Sequence, residues 1–122
     1  HDICGKVEKY LTKIAPKSVR VQVVKHGGAK AVVVPSEGPW LEAAGRAIRK
    51  GFGKSPVFIR EGGSIPIVAG FKTVLGLDTL LIGFGQQDDN IHSPNERFRV
   101  VDFENGCRTA AALPAELAGV KT

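Results

Sequence analysis

A loop with one histidine and several carboxylates is the part of this sequence best suited to chemistry. Residues 88–96 read Asp-Asp-Asn-Ile-His-Ser-Pro-Asn-Glu and directly follow an apolar run, 80–84, that is typical of a buried strand. Ligands of α/β sheets bind at the carboxyl ends of strands, so His92 is a candidate metal ligand. A capped turn is the simpler interpretation, because Ser93 and Glu96 have the spacing of a capping box. Such a turn would orient His92, but it leaves the other polar residues of the loop unexplained.

The sequence around His92 does not supply the remaining ligands of a metal site. The three histidines, His1, His26 and His92, are far apart, and neither His-Glu-x-x-His nor Cys-x-x-Cys occurs. A catalytic zinc ion needs about three protein ligands. A metal bound through His92 would therefore need ligands from elsewhere.

A glycine-rich turn is the second candidate site. Residues 60–66, Arg-Glu-Gly-Gly-Ser-Ile-Pro, follow a predicted strand at 57–59 and precede a predicted helix. The glycines let the backbone approach a ligand, and the amides at a helix start favour a carboxylate or an oxyanion. Arg60 adds a planar, permanently charged donor. The spacing matches neither a phosphate-binding loop nor a dinucleotide-binding fingerprint, and an ordinary tight turn remains the alternative.

Length and composition indicate a soluble globular protein with one domain. Of the 122 residues, 43% are hydrophobic and 24% are charged, which is an ordinary balance. No apolar run approaches the roughly 20 residues of a membrane-spanning helix, so we expect no membrane association. The two cysteines, Cys4 and Cys107, are too few for a disulfide scaffold, and reduced thiols favour a cytoplasmic protein.

The net charge of +5 raises a second functional class, a non-catalytic basic module that binds nucleic acid or a protein partner. Residues 25–30, Lys-His-Gly-Gly-Ala-Lys, superficially resemble a glycine-rich RNA clamp but lack the Gly-x-x-Gly spacing. The basic residues are spread along the chain, and no aromatic residues form a stacking pattern with them. A solvated basic face is therefore the favoured interpretation, and nucleic acid is not the expected partner.

The apolar pattern predicts an α/β fold in which helices cover a sheet. Helical spacing predicts helices over about 3–15, from Pro39 to the Gly51-Phe52-Gly53 string, and from Pro66 to Val74 or Leu75. A last helix is predicted from Asp102, as N-cap, toward Gly119, and Pro114 is expected to kink it or end it early. Alternation and short apolar runs predict strands at 19–23, 31–34, 57–59 and about 79–83. The break at residues 35–39 is the predicted domain boundary.

The two polar motifs together resemble a known family. The strings at 60–66 and 88–96 are similar to those of the carnosinase-like and Cys-Gly-dipeptidase-like zinc peptidases of the aminoacylase/carboxypeptidase superfamily. The resemblance covers nearly the whole chain, including the His-Gly-Gly string that begins at His26. It implies that residues 1–36 are the C-terminal part of a small α+β lid, through which these enzymes dimerise. Residues 37–122 would then be the C-terminal segment of the α/β catalytic domain.

The resemblance also implies a function and roles for individual residues. Members of the family hydrolyse dipeptides or related small amides with two zinc ions, which are bridged by an aspartate and a water, and with a glutamate as general base. His92 would be a zinc ligand, and Gly63 and Ser64 would bind the backbone or carboxylate of the substrate. His26 would also approach the substrate, and Arg60 is the further candidate for substrate binding.

The sequence departs from the family pattern in one large respect. The other ligands of the family, a His-x-Asp pair, a Glu-Glu pair and a further aspartate, lie upstream and have no counterpart here, and the chain has no methionine even at position 1. We therefore expect a piece of a larger homodimeric zinc dipeptidase, inactive alone and unable to hold zinc stably. The sequence does not indicate which dipeptide the parent enzyme cleaves.

Overall fold

The computed structural model describes residues 2–26, 30–60 and 65–121. These residues form helices joined by turns and irregular segments. The helices are α1 (Asp2–Ile14), α2 (Pro39–Phe52), α3 (Pro66–Gly70), which continues as a π-helical segment (Phe71–Leu75), and α4 (Val100–Ala118). In the described part of the chain, no helix is both long enough and apolar enough to cross a membrane.

Helix α1 confirms the helix predicted over residues 3–15. Asp2 lies in its first turn and Lys13 in its last, where their charges complement the helix dipole, and Lys6 Nζ pairs with Asp2 Oδ2 at 2.5 Å. A second ion pair, Lys25 Nζ to Glu8 Oε2 at 2.6 Å, joins α1 to the segment that follows it. Within the described ranges α1 contacts no other helix, so its apolar face remains exposed.

Helix α2 and the helix that begins at Pro66 are also confirmed. Pro39 lies in the first turn of α2, where the missing N–H costs nothing. Gly53 ends α2 in a left-handed conformation (φ 68°) and donates its N–H to the carbonyl of Arg49 at 2.8 Å. Pro66 begins α3 in the same way, and Gly76 (φ 69°) ends the π-helical segment. Glycine at both ends follows from the positive φ that these caps require.

The four predicted strands are not observed. The segments 19–23, 31–34, 57–59 and 79–83 have no strand pairing in the described part of the chain, and the expected α/β layer is therefore not formed by these residues. Val57, expected to be buried, is 84% exposed. The alternation of apolar residues indicates only which face of a strand would be buried. A strand also needs a neighbouring strand to form hydrogen bonds with its backbone N–H and C=O groups.

The expectation that Asp102 caps the last helix is wrong, and of the two effects expected of Pro114 the early end is not observed. Helix α4 begins at Val100 with Arg99 as its N-cap, so Asp102 lies inside the first turn and does not cap it. Asp102 is instead buried, and its Oδ2 accepts a hydrogen bond from Gln86 Nε2 at 3.2 Å. The helix also passes through Pro114 and ends at Ala118 rather than stopping early. Proline removes one backbone donor there, but α4 is held beyond it by the ion pairs of Glu116.

The core of the described chain is the contact between α2 and α4. Small residues of α2 (Ala43, Ala44, Ala47 and Gly51) are buried against α4, which presents Gly106 and Thr109. A Cβ at Gly51 would lie 2.0 Å from Thr109 Oγ1 and 2.5 Å from the carbonyl oxygen of Asn105. Because Thr109 is fully buried and donates its hydroxyl to that carbonyl at 2.9 Å, it cannot easily move away. Glycine at 51 therefore permits the close approach of the two helices.

An ionic contact near the C-terminus of α4 also joins the same helix pair. The carboxylate of Glu116 in α4 forms ion pairs with two residues of α2: Oε2 lies 2.6 Å from Arg46 Nε, and Oε1 lies 2.7 Å from Lys50 Nζ. Hydrogen bonds from Lys50 and Arg46 hold the pKa of Glu116 below its ordinary value of 4.5. The Glu116 side chain is only 13% exposed, whereas both basic partners reach into solvent.

The described helices leave much apolar surface uncovered. The accessible surface is 10,292 Å², whereas a compact 13.0 kDa protein exposes about 6,300 Å². Exposed apolar side chains occur on α1, in the segment 57–59 and on the first turn of α4. This surface is large enough to pack against further polypeptide.

Substitution of Gly51 by alanine is expected to destabilise the protein by about 2 kcal/mol or more, because the new methyl group overlaps Thr109 and the α4 backbone. The matched control is Gly45→Ala in the same helix, where the nearest atom to a new Cβ is Pro56 Cγ at 3.6 Å. The control is expected to be neutral or stabilising by about 0.5 kcal/mol. Denaturant unfolding followed by circular dichroism measures the free energy of unfolding of each variant. Equal values for the two variants would contradict the close contact of Gly51 with α4.

Acid is expected to weaken the α2–α4 contact through Glu116. A carboxyl whose pKa is lower in the folded state contributes stability above its unfolded pKa of about 4.5, and that stability is lost as the pH falls through the folded value. The variant Glu116→Gln removes this contribution. The free energy of unfolding should therefore be lower for Glu116→Gln than for the unsubstituted chain at pH 7, with the difference narrowing as the pH falls below 4.5. A difference that stays constant from pH 7 to pH 3 would contradict the assignment.

Candidate metal-ligand loop

The segment before the candidate loop is fixed against the helix pair by aromatic packing. The rings of Phe84 and Phe52 stack with centroids 5.5 Å apart and an interplanar angle of 20°. The Phe84 ring also lies over Gly106 of α4, where an added Cβ would be 2.9 Å from Cδ2. Two residues later, the side chain of Gln86 bonds to Asp102 of α4. The start of the loop is thereby tied to both α2 and α4.

Asp89 connects the beginning of the loop to its end. Its Oδ2 accepts the backbone N–H of Gln86 at 2.7 Å, and its own N–H donates to the Gln86 carbonyl at 3.2 Å. Its carbonyl accepts the N–H of Arg97 at 2.9 Å. The side chain is 1% exposed, although the residues on both sides are exposed. Asp89 therefore closes residues 86–97 into a single looped unit.

Two tight turns inside this unit place His92 at its outer surface. The N–H of Ser93 donates to the Asn90 carbonyl at 2.9 Å, and that of Glu96 donates to the Ser93 carbonyl at 3.2 Å. Asn90, His92 and Asn95 have φ values of 54°, 63° and 62°, in the left-handed region. Asparagine and histidine adopt this region more readily than most residues, but the conformation still costs a residue with a side chain about 1–2 kcal/mol. The backbone at His92 is thus held by its surroundings rather than by its own preference.

Charged side chains support the base of the loop. Asp88 pairs with Arg97, and its carboxylate accepts Arg99 Nη2 at 3.0 and 3.1 Å. Partial desolvation raises the pKa of Asp88, but Arg97 and Arg99 outweigh it and hold the pKa below its ordinary value of 3.8. Asp88 therefore stays ionised at neutral pH and keeps the two arginines together.

A cavity of about 410 Å³ lies beneath the loop and is lined by Asp89, Glu96 and Arg97 with apolar groups from Gly85, Ile91 and Phe98. His92 is not among its lining residues and is exposed. A second cavity, of about 370 Å³, lies between α2 and the segments 54–58 and 80–86. The imidazole is therefore directed to the exterior of the described chain and not into either cavity.

The described residues do not bring together a complete metal site. No group of three or more His, Cys, Asp or Glu side chains with the geometry to hold an ion occurs within residues 2–26, 30–60 and 65–121. His26 and Arg60 are both exposed, and no hydrogen bond or ion pair between described residues joins either of them to His92. Gly63 and Ser64 lie outside the described residues, as do the glycines that follow His26.

Comparison with known proteins shows the family to which this chain belongs. The sequence profile described as "Peptidase family M20/M25/M40" matches residues 3–116, which is nearly the whole chain. The chain belongs to peptidase family M20/M25/M40. This family includes the dipeptidases that the two polar motifs resemble, and membership implies an α/β peptidase fold. No solved structure matches the chain.

Several curated proteins that are similar to this M20/M25/M40 member are named dipeptidases. The Cys-Gly metallodipeptidase DUG1 of Candida albicans is 39% identical over 95 residues, which are 78% of this chain and 19% of the relative. That of Saccharomyces cerevisiae is 36% identical over 104 residues, covering 85% and 21%. The human Beta-Ala-His dipeptidase is 36% identical over 88 residues, covering 66% and 17%. The chain therefore spans about a fifth of the length of these relatives.

Some residues of this M20/M25/M40 member that shape the loop were not identified from the sequence. The buried role of Asp89 gives no signal, since Asp88 beside it has the same side chain and is exposed. The bond from Gln86 to Asp102 joins residues 16 positions apart and depends on how α4 packs. Asn90 and Asn95 did carry a usable signal, because asparagine is the residue that most readily accepts the left-handed conformation after glycine.

Proposed function

We propose that this chain is part of a zinc-dependent dipeptidase that hydrolyses dipeptides or related small amides with two zinc ions. The observation that carries the proposal is the family match over residues 3–116, which includes the loop that presents His92. The printed names of the relatives, Cys-Gly metallodipeptidase and Beta-Ala-His dipeptidase, support a metal-dependent reaction on small peptides.

In this proposal His92 contributes one zinc ligand. Its exposed position at the tip of a closed loop supports that role, because a ligand to a metal shared with other segments must project beyond its own fold. Neutral imidazole is a common zinc ligand. Zinc in a peptidase polarises the scissile carbonyl and lowers the pKa of a bound water. The described residues fit one coordination position, so no further catalytic step is assigned to them.

We propose that the 122-residue chain is inactive by itself and does not hold zinc stably. One imidazole cannot position two ions, and in the described part of the chain no other residues form a ligand group with it. The large uncovered apolar surface supports the same conclusion, since it offers an area on which the rest of a peptidase subunit can pack. The unpaired strand-like segments 57–59 and 79–83 would find their neighbours in that assembly.

The substrate would be held by residues of the glycine-rich turn and of the preceding segment. We assign Gly63 and Ser64 to the backbone or carboxylate of the peptide, with Arg60 and His26 as further substrate contacts. Residues 1–36 form the end of a lid through which the cytoplasmic enzyme forms a homodimer, and residues 37–122 belong to the catalytic domain. Support for this division comes from α1, which contacts no other helix among the described residues and exposes an apolar face.

Replacement of His92 by alanine in the full-length peptidase is expected to lower zinc content and dipeptidase activity together. Loss of a direct ligand should weaken zinc binding by more than the roughly 10–100-fold that removal of a supporting residue costs. Zinc is measured by elemental analysis after dialysis, and activity is measured by release of the free amino acid from a dipeptide.

The matched control for this experiment is His26→Ala, which removes a histidine assigned to substrate. The control should keep its zinc and show a raised KM. If His92→Ala retains its full zinc content after dialysis, His92 is not a ligand and the proposal fails.

Replacement of Ser64 by alanine in the same protein is expected to weaken substrate binding and leave the zinc content unchanged. Loss of one hydrogen bond to a charged carboxylate costs about 1.5–3 kcal/mol, which corresponds to a rise in KM of about tenfold or more. Steady-state kinetics and elemental analysis measure the two quantities separately. A Ser64→Ala protein that loses zinc would contradict the assignment of Ser64 to substrate.

A further inference from the structure

Asp89 is a buried carboxylate to which the proposed function gives no role. It lies three residues before His92 and is 1% exposed. A buried carboxylate is costly unless hydrogen bonds compensate for the lost hydration. Its Oδ2 accepts a hydrogen bond from the Gln86 N–H. Its Oδ1 is buried and has no hydrogen-bond partner in the described chain. The Nε of Arg97 lies 4.0 Å from Oδ1, too far for a hydrogen bond but close enough to balance the charge.

Asp89 makes three hydrogen bonds within the same loop, one through its side chain and two through its backbone. The carboxylate and the N–H of Asp89 both bond to Gln86, and the carbonyl of Asp89 bonds to Arg97, so residues 89–97 are closed on Asp89. Gln86 is itself anchored to Asp102 of α4. Through Gln86, the closed loop is therefore attached to the helix core as well as held together by its own hydrogen bonds.

The backbone of His92 requires such a constraint. A left-handed φ of 63° is unfavourable for a residue with a side chain, although histidine adopts it more readily than most, so contacts of the surrounding loop must stabilise it. The side-chain direction of a residue changes when its φ changes sign, so release of the loop would redirect the imidazole. The contacts that close the loop therefore also determine the direction of the His92 imidazole.

We propose that Asp89 is the positioning residue of His92. Its side chain accepts the Gln86 N–H and so fixes the orientation of Asp89, whose backbone carbonyl then accepts the Arg97 N–H; the loop closed in this way holds His92 left-handed and directs its imidazole outward. The role of that imidazole as a zinc ligand rests on the proposed function. Asp89 does not touch zinc or substrate and acts only through the loop.

The unpartnered Oδ1 gives this proposal a distinctive test. An asparagine at 89 can keep its carbonyl oxygen at the Oδ2 position and place its amide nitrogen at the Oδ1 position, where no hydrogen bond is lost. The conservative variant Asp89→Asn should therefore retain the positioning. Asp89→Ala removes the acceptor, and Asp89→Glu displaces it by one methylene group, so both should lose the positioning.

The experiment uses nuclear magnetic resonance on the 122-residue chain without metal. A left-handed residue brings its own amide proton close to its Hα, which gives a strong intraresidue Overhauser signal at His92. In Asp89→Ala this signal should fall to the level of ordinary residues, and the amide exchange of Gln86 should accelerate about tenfold or more. Asp89→Asn should keep the signal, with exchange within about threefold of the unsubstituted chain.

The matched control is Asp88→Asn, which removes the charge of the adjacent, exposed carboxylate but keeps a side-chain oxygen that can accept from Arg97 and Arg99. It should leave the His92 signal and the Gln86 exchange unchanged. Signals from Gly51 and Thr109 report whether each variant keeps the α2–α4 core. An Asp89→Ala chain that is folded and retains the His92 signal overturns the proposal. If Asp89→Ala does not fold, Asp89→Glu decides: a retained His92 signal overturns the proposal, and a lost one supports it.

Zinc binding by the full-length peptidase separates this proposal from the proposed function. Asp89→Ala should weaken zinc binding about tenfold, the usual effect of removing a residue that orients a ligand, and Asp89→Asn should restore it. If His92→Ala retains zinc, the proposed function fails while the Overhauser result still stands for the loop. If His92→Ala loses zinc but Asp89→Ala binds it normally, the positioning role fails alone.

Discussion

The close approach of α2 and α4 is the constraint on which the rest of the described structure depends. It requires glycine at 51, because Thr109 and the α4 backbone occupy the space that any side chain would need. Thr109 is fixed in that space by its bond to Asn105. Glu116 then joins the two helices through Arg46 and Lys50. Steric fit sets the distance between the helices, and the ion pairs add to a register that the packing has already determined.

The candidate ligand loop inherits its position from this helix pair. Phe84 stacks on Phe52 of α2 and lies over Gly106 of α4, and Gln86 reaches Asp102 in the first turn of α4. Asp89 extends this chain of contacts by one step to the loop itself. Packing that is remote from His92 therefore anchors the loop that carries it.

The family match and the geometry account for different properties of the chain. Membership in peptidase family M20/M25/M40 implies an α/β fold and carries the expectation of metal-dependent peptide hydrolysis. The structure describes a helix pair, an anchored loop and uncovered apolar segments. Segments with strand-like sequence remain unpaired because pairing needs a neighbouring strand, which the described residues do not provide.

The sequence by itself determined the local features. The apolar spacing in α1 and α2, Pro39 and Pro66 at helix starts and Gly53 at a helix end were all correctly predicted, because each depends only on neighbouring residues. Only the tertiary structure decided the features that depend on residues distant in the chain. Asp102 is buried rather than capping α4, and Asp89 is buried beside an exposed Asp88, because Gln86 and the α2–α4 core reach them from elsewhere. Local propensity cannot encode which distant group removes a carboxylate from water.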